Sequence, residues 1–329
     1  MLLNYLLKRC SWMVLTVILV SIISFIVIQL PPGDFLTTYI ATLTASGQSV
    51  DESEVAALKA RYGLDRPIYV QYYIWISGIV TRGDFGQSFQ WNRPVKELIW
   101  ERVWFTVILS GASLVFSWVV AIPIGIYSAV NKYSIMDYIV TFLGFIGLST
   151  PNFMFALVLM WVLYSYFGIS PGGLFSEQFI DAPWSWARMA DMAQHLVVPV
   201  IVTGTAGTAG LIRTLRARLL DELNRPYVTT ARAKGLPPWE LLIKYPVRLA
   251  ILPFISTIGW VLPQLISGGI IVAIVLNLPT VGPMLHRALT SQDMYLAGSI
   301  ILITSVLTVI GTLISDLLLA WLDPRIRYE

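Results

Sequence analysis

The sequence is poor in charge. Only 12% of its 329 residues are Asp, Glu, Lys or Arg, against roughly 25% in soluble domains. It has one cysteine, Cys10, which excludes an intrachain disulfide and any multi-cysteine metal site. It has two histidines, His195 and His286, each near the end of an apolar run and neither in a His-Glu-x-x-His pattern. No glycine-rich phosphate loop ending in Lys-Ser or Lys-Thr occurs, and no nucleophile triad is discernible. The chain therefore reads as neither an ATPase nor any other enzyme, with no cofactor or metal of its own. The net charge of +3 is not gathered on a basic face of a soluble domain, so nucleic-acid binding is not expected.

What is abundant is apolar surface. Hydrophobic residues make up 56% of the chain and the mean hydropathy is +0.72, which is membrane composition. Six long apolar runs lie near Cys10–Leu30, Val103–Val130, Tyr138–Phe167, His195–Leu220, Leu249–Leu276 and Tyr295–Leu322. The first follows Lys8 and Arg9 and is longer than a typical signal-peptide core, so it reads as a retained transmembrane helix. Six crossings put both termini on one side. Between the fourth and fifth runs lie Arg213, Arg216, Arg218, Arg225, Arg232, Lys234, Lys244 and Arg248 against three acids. The loop from Gly168 to Gln194 carries Arg188 against three acids. Basic loops stay cytoplasmic, so the first loop and both termini are assigned to the cytoplasm.

The expected organisation is an N-terminal tail and first helix (1–30), an external segment (31–102) and a five-helix core (103–329). In the external segment Asp51–Tyr62 reads as a short helix with acids in its first turn. Tyr69–Trp75 reads as an interfacial aromatic stretch, and Arg82–Gly86 as a turn.

One stretch breaks the apolar pattern: YVTTARAKGLPPWELLIKYPVRLAILP, residues 227–253. Pro237-Pro238 suits a helix start, Gly235 marks a tight backbone path before it, and Pro246 is expected to end it after about two turns. A knob so short and basic suits docking into a partner's cleft. The competing reading is a loop drawn to anionic lipid headgroups.

Here the sequence resembles the dipeptide/oligopeptide/nickel permease family of ABC importers, in the form of the first permease of the pair. Thr230-Ala231-Arg232-Ala233-Lys234-Gly235-Leu236 is similar to that family's cytoplasmic coupling loop, and Arg248–Pro253 to the segment that re-enters the membrane. Tyr62–Pro67 with Gln71, Tyr72 and Trp75, Gly83–Ser88, Pro94–Ile99, Gly147–Phe153 and Leu322–Arg327 resemble further motifs in order along the chain. The resemblance implies an all-α, six-helix type I permease in a bacterial or archaeal cytoplasmic membrane. It implies a second homologous permease, two ABC ATPase subunits carrying ATP and Mg, and an extracytoplasmic solute-binding protein. Peptides are the implied solutes, with oligosaccharides, opines or nickel as alternatives. An autonomous channel or membrane enzyme is the rival from another class. The implied coupling residues are Thr230, Ala231, Arg232, Ala233, Lys234, Gly235, Leu236, Pro238, Trp239 and Glu240. The sequence departs from the family in two places: Ala273 and Leu278–Gly282 stand where an acid and a Pro-Gly-Leu-Gly turn are common, and Thr229 stands where a base is common.

A few single residues stand out. Asp316 lies inside the sixth run, where a carboxylate must face protein or water; a structural hydrogen bond or a pathway role would each explain it. Pro263, Gly268 and Gly269 mark either a gate or plain helix packing. The glycines of Gly204-Thr-Ala-Gly207-Thr-Ala-Gly210 are expected to pack closely against other helices.

Overall fold

The structure is a computed structural model that describes residues 2–29, 66–88, 90–259, 261 and 269–322. The readings of Asp51–Tyr62, Pro263, Gly268, most of the Tyr62–Pro67 motif and residues 323–327 lie outside the described residues. The chain divides into two compact units, Met1–Thr106 with Thr280–Val309, and Val107–Pro279 with Ile310–Glu329. Among the described residues, four helices are long and apolar enough to cross a membrane, and a bent pair makes a fifth candidate.

In the first unit, α1 (Leu2–Gln29) packs on α2 (Ile68–Arg82). Gln71, Trp75 and Gly78 share one face at helical spacing and are buried. Gln29 donates to Gln71 at 2.9 Å, Ser21 meets the Tyr72 hydroxyl at 2.7 Å, and Phe25 lies 5.4–5.5 Å from the Tyr72 and Trp75 rings. Tyr72 and Trp75 of the aromatic stretch thus pack on α1, while Tyr69 and Tyr73 are exposed. Helix α2 ends at Gly83 (φ 62°), as its glycine allows.

Gly86 (φ 87°) is needed twice over, since a Cβ there would stand 2.9 Å from the Tyr295 ring. It leads into a two-strand hairpin, β1 (Gln87–Ser88) and β2 (Arg93–Pro94). Behind the hairpin is Asp293, fully buried. It accepts from Ser88 Oγ (2.5 Å), Gln90 N (3.3 Å) and Leu296 N (3.2 Å). One carboxylate therefore fixes the hairpin and caps the helix that starts at Met294.

The second unit contains most of α3 (Val95–Val130), then α4 (Ile135–Ser149), α5 (Asn152–Phe167), α6 (Trp186–Leu223) and a series of shorter helices. The third apolar run is not one straight helix. Helices α4 and α5 meet at 104°, because Pro151 forces Thr150 into an extended conformation (φ −89°, ψ 124°).

Helices α3 and α6 pack closely. Gly125 lies against Leu215 and Gly204 against Phe116. Ser117 donates to the Gly204 carbonyl at 2.9 Å and Ser113 meets Thr203 at 2.6 Å. Partners rise together in number along both helices, so α3 and α6 run parallel.

The fifth run is assembled from pieces. Among the described residues it contains α10 (Leu252–Ser256) and α11 (Ile270–Val275). The short α12 (Val281–Thr290) comes after it and buries Val281, Met284, Leu285 and Ala288. The last helix is α13 (Met294–Leu322). Near α10 the chain crosses the end of α13 at Gly259, Gly311 and Thr312, and Ser315 donates to the Ile255 carbonyl at 2.9 Å. The partners run in opposite order, so this crossing is antiparallel.

The loop before α6 is organised by Arg188. Its guanidinium sits 4.7 and 4.6 Å from the Phe175 and Trp184 ring centres and donates to the carbonyls of Ala182 and Ile180.

A Cβ at Gly204 would lie 2.5 Å from Phe116, whereas one at Gly111 meets nothing within 4 Å. Gly204→Ala is expected to destabilise by about 1–3 kcal/mol through overpacking. Gly111→Ala is expected to be neutral or slightly stabilising. Thermal unfolding of the two purified variants in detergent checks this, and equal midpoints would contradict the packing.

Candidate coupling site

The site is built from α7 (Pro226–Ala233), α8 (Pro238–Leu242) and the helical segment 243–250. Proline at the first position of each of α7 and α8 starts the helix at no hydrogen-bond cost. Gly235 ends α7 in the left-handed region (φ 79°), with Gly235 N donating to Arg232 O (3.0 Å) and Leu236 N to Ala231 O (3.4 Å). This pair of bonds is a Schellman motif, and its usual apolar contact is present because Leu236 packs beside Ala231.

Pro246 does not end the helix. The path stays helical from Pro238 through Ile243–Val247 into α9 (Arg248–Ala250). Residues Ile243–Val247 form a π turn, whose wider i→i+5 spacing accommodates a ring that would otherwise press on the carbonyl four residues back. The expected two-turn helix is therefore the first part of a longer helical segment.

Two adjacent leucines anchor it. Leu241 joins Val228 and Ala231 of α7. Leu242 joins Leu215 and Leu219 of α6, Ala121 and Ala129 of α3, and Val247, Ala250 and Phe254. A second link lies at Tyr227, whose hydroxyl donates to Glu222 at 2.5 Å. Burial, then that bond to a carboxylate, push the phenol's pKa well above its ordinary value. It remains a donor throughout the physiological range.

The opposite side is open. Arg232, Lys234, Trp239, Glu240, Lys244 and Arg248 are exposed, Trp239 at 68%. Glu240 and Lys244 face each other at 3.7 Å in solvent, a pair worth a few tenths of a kcal/mol at most. Of the residues named from the sequence, Thr230, Arg232, Ala233, Lys234, Gly235, Pro238, Trp239 and Glu240 share this exposed region. Ala231 is buried and Leu236 half-buried; both face the core.

An ion pair that no sequence motif announces secures the same end of α6. Arg216 grips Asp137 with two bonds, Nε to Oδ1 at 2.9 Å and a terminal nitrogen to Oδ2 at 2.7 Å. Asp137 is buried and also accepts from Tyr133 N at 2.9 Å, while its own N–H bonds the capping Ser134. Charge counting places Arg216 merely among the cytoplasmic bases. The available clue is Ser134-Ile-Met-Asp137, a capping pattern that places a carboxylate at a helix start.

Comparison with known proteins decides what this assembly belongs to. Residues 121–328 match the model of the binding-protein-dependent transport system inner membrane component, and residues 2–110 match that of its N-terminal region. The chain belongs to this family of transport permeases. The oligopeptide transport system permease protein AppB of Bacillus subtilis is 34% identical, covering 98% of this chain and 99% of that one. Two dipeptide transport system permease proteins named DppB are 29% identical over nearly the full length, one from Escherichia coli K12 and one from Alkalihalophilus pseudofirmus. The permease is thus a multi-pass membrane subunit of a transport system and not an enzyme.

The remaining candidates of the permease are scattered. Asp316 is half-buried on α13 beside Ser315. Gly269 caps α11 with an ordinary negative φ of −96°. His195 lies on α6 with Nδ1 at 2.9 Å from the Asp191 carbonyl, a structural contact within one turn.

Removing Asp137 leaves a half-buried guanidinium without its carboxylate. Asp137→Ala is expected to cost about 1.5–3 kcal/mol, whereas the paired exchange Asp137→Leu with Arg216→Met is expected to be near neutral. Unfolding midpoints of the two variants test this; a single variant as stable as the pair would show that the ion pair holds nothing.

Proposed function

We propose that this chain forms half of the membrane pathway of an ATP-driven importer that takes up peptides delivered by an external binding protein. A second permease would form the other half. ATP and Mg would be handled by two ATPase subunits, which grip the exposed face of α7–α8. Peptide is favoured as the solute because the full-length relatives are named as oligopeptide and dipeptide permeases. On this reading the chain crosses the membrane six times with both termini in the cytoplasm.

The observation that carries the coupling role is Trp239, an exposed aromatic among bases on a doubly anchored base. Exposed Trp and Arg on a rigid base are the residues that dominate interface energetics. The sidedness has its own support. Helices α3 and α6 are parallel, so the bent pair between them amounts to one crossing. Lys132 and the bases around Arg216 then share a side, which the positive-inside rule makes cytoplasmic.

The reading is tested in the reconstituted importer. Trp239→Ala is expected to lower ATP-driven peptide uptake by roughly tenfold or more, as loss of an interface hot spot would, and to reduce co-purification of the ATPase. Yield of the permease itself should hold. Wild-type uptake with Trp239→Ala would remove the coupling role, and normal ATPase binding would assign Trp239 to the lipid interface.

Topology is tested in a Cys10→Ser background, which leaves no cysteine. Ser134 and Ser185 cap helices, so exposed residues that make no cap are used. A cysteine replacing Gln178 should react with an impermeant maleimide from outside, and one replacing Lys132 only after permeabilisation. The opposite pattern inverts the chain.

A further inference from the structure

The second unit holds a half-open cavity of about 350 Å³, lined in part by Asn152 of the Gly147–Phe153 motif and by the glycines of the Gly204–Gly210 run. It lies within the volume range of small-ligand sites, about 300–1,000 Å³. Its described lining comes from α3, the start of α5, α6 and the residues around α10 and α11, and includes no ionisable side chain. Its largely apolar wall carries a few polar groups. Thr203 donates to the Pro199 carbonyl at 2.7 Å, so Ser113, 2.6 Å away, donates to Thr203. Ser117 donates to the Gly204 carbonyl. Each serine hydroxyl has spent its hydrogen on protein and keeps lone pairs that can only accept.

Asn152 is different. It lines the cavity, and its carboxamide has no protein partner among the described residues, so both its N–H groups and its oxygen remain available. The floor is bare backbone: a Cβ at Gly207 would meet only Ser117 Oγ, at 3.9 Å, and one at Gly210 nothing within 4 Å. These two glycines leave space, while Gly204 three residues earlier packs tightly.

Acceptors from serines, donors and an acceptor from a carboxamide, room and no charge make a surface for peptide groups. A peptide backbone presents N–H and C=O groups in alternation, and its side chains carry either sign or none. At short range in a site of low dielectric, one fixed charge favours a side chain of opposite sign and disfavours one of like sign. A cavity without one passes acidic, neutral and basic residues alike.

Building on the peptide-importer reading, we infer that this cavity is a contact site for the solute in transit, in which Asn152 and the hydroxyls of Ser113 and Ser117 bond the peptide backbone without regard to side-chain charge.

The test uses the complete importer in proteoliposomes and three radiolabelled tripeptides, tri-alanine and its analogues with central Lys or Glu. Uptake is expressed per assembled complex, and peptide affinity of the isolated binding protein is measured alongside. Asn152→Ala and the space-filling Gly207→Leu should each lower uptake of all three equally, by roughly tenfold, the worth of one or two hydrogen bonds. Gly111→Ala, outside the cavity and with nothing within 4 Å of the added Cβ, should retain uptake and serves as the control. Asn152→Asp should make the cavity charge-selective, with uptake of the Lys peptide maintained and that of the Glu peptide depressed. The inference is overturned if Asn152→Asp treats the three peptides alike, or if Asn152→Ala and Gly207→Leu transport normally in a system where the wild type is active. A wild-type importer that takes up none of the three overturns the peptide reading itself, and the inference with it.

Discussion

The candidate coupling site depends on a packing clamp. Leu241 and Leu242 are neighbours on one helix and point about 100° apart, as 3.6 residues per turn requires. One enters the small cluster shared with α7, the other the larger cluster shared with α3 and α6. Full burial of a leucine is worth about 1.5–3 kcal/mol. The geometry matters more than the sum. A helix held on one side can roll about its own axis, but a helix held on two sides cannot roll without opening one core. A displacement applied at Trp239 therefore reaches α3 and α6 as a movement of the whole segment. The π turn serves the same end, since it carries the helical path past Pro246 to Val247 and Ala250, which also lie in the larger cluster.

The Asp137–Arg216 pair adds direction to this rigidity. A buried ion pair contributes little net stability, because desolvation of both charges offsets their attraction. What it supplies is register: the two-pronged guanidinium fits the carboxylate in one orientation. It ties the start of α4 to the end of α6; Tyr133 N holds the carboxylate, and Ser134 accepts from the Asp137 backbone N–H. Helices α3, α4 and α6 are thereby fixed to one another at the end where α7 and α8 emerge.

Much of this is legible in the sequence, and the failures have physical causes. Apolar runs locate the long helices because a bilayer-length stretch without charge has few other uses. Gly235 and Pro237-Pro238 are readable because only a few residue types tolerate those backbone positions. The bend at Thr150-Pro151 escapes a hydropathy reading although proline announces it, because the apolar run continues across it unbroken. Pro246 looks like a terminator because its effect depends on whether the helix can widen, which packing around Val247 and Ala250 decides. Charge counting assigns a side to Arg216 and Arg188 but not their role. One is locked to a carboxylate and the other lies against two aromatic rings. Their partners are 79 residues away for Arg216 and within one loop for Arg188, and no local pattern distinguishes these cases.

The run from Gly204 to Gly210 shows the same limit more sharply. A spacing of three advances about 300° around a helix, so each glycine is turned about 60° from the one before. Over two steps the face rotates by roughly 120°, from the tightly packed α3 side at Gly204 to open space at Gly210. A single label for the run, whether packing motif or flexible stretch, could not be right for all three residues. The sequence specifies how the faces are arranged around α6. What each face meets is set by Phe116 and Ser117, which lie nearly ninety residues earlier in the chain. The same glycine pattern can thus bring one helix close at its first residue and keep another surface clear at its last, and both follow from having no side chain.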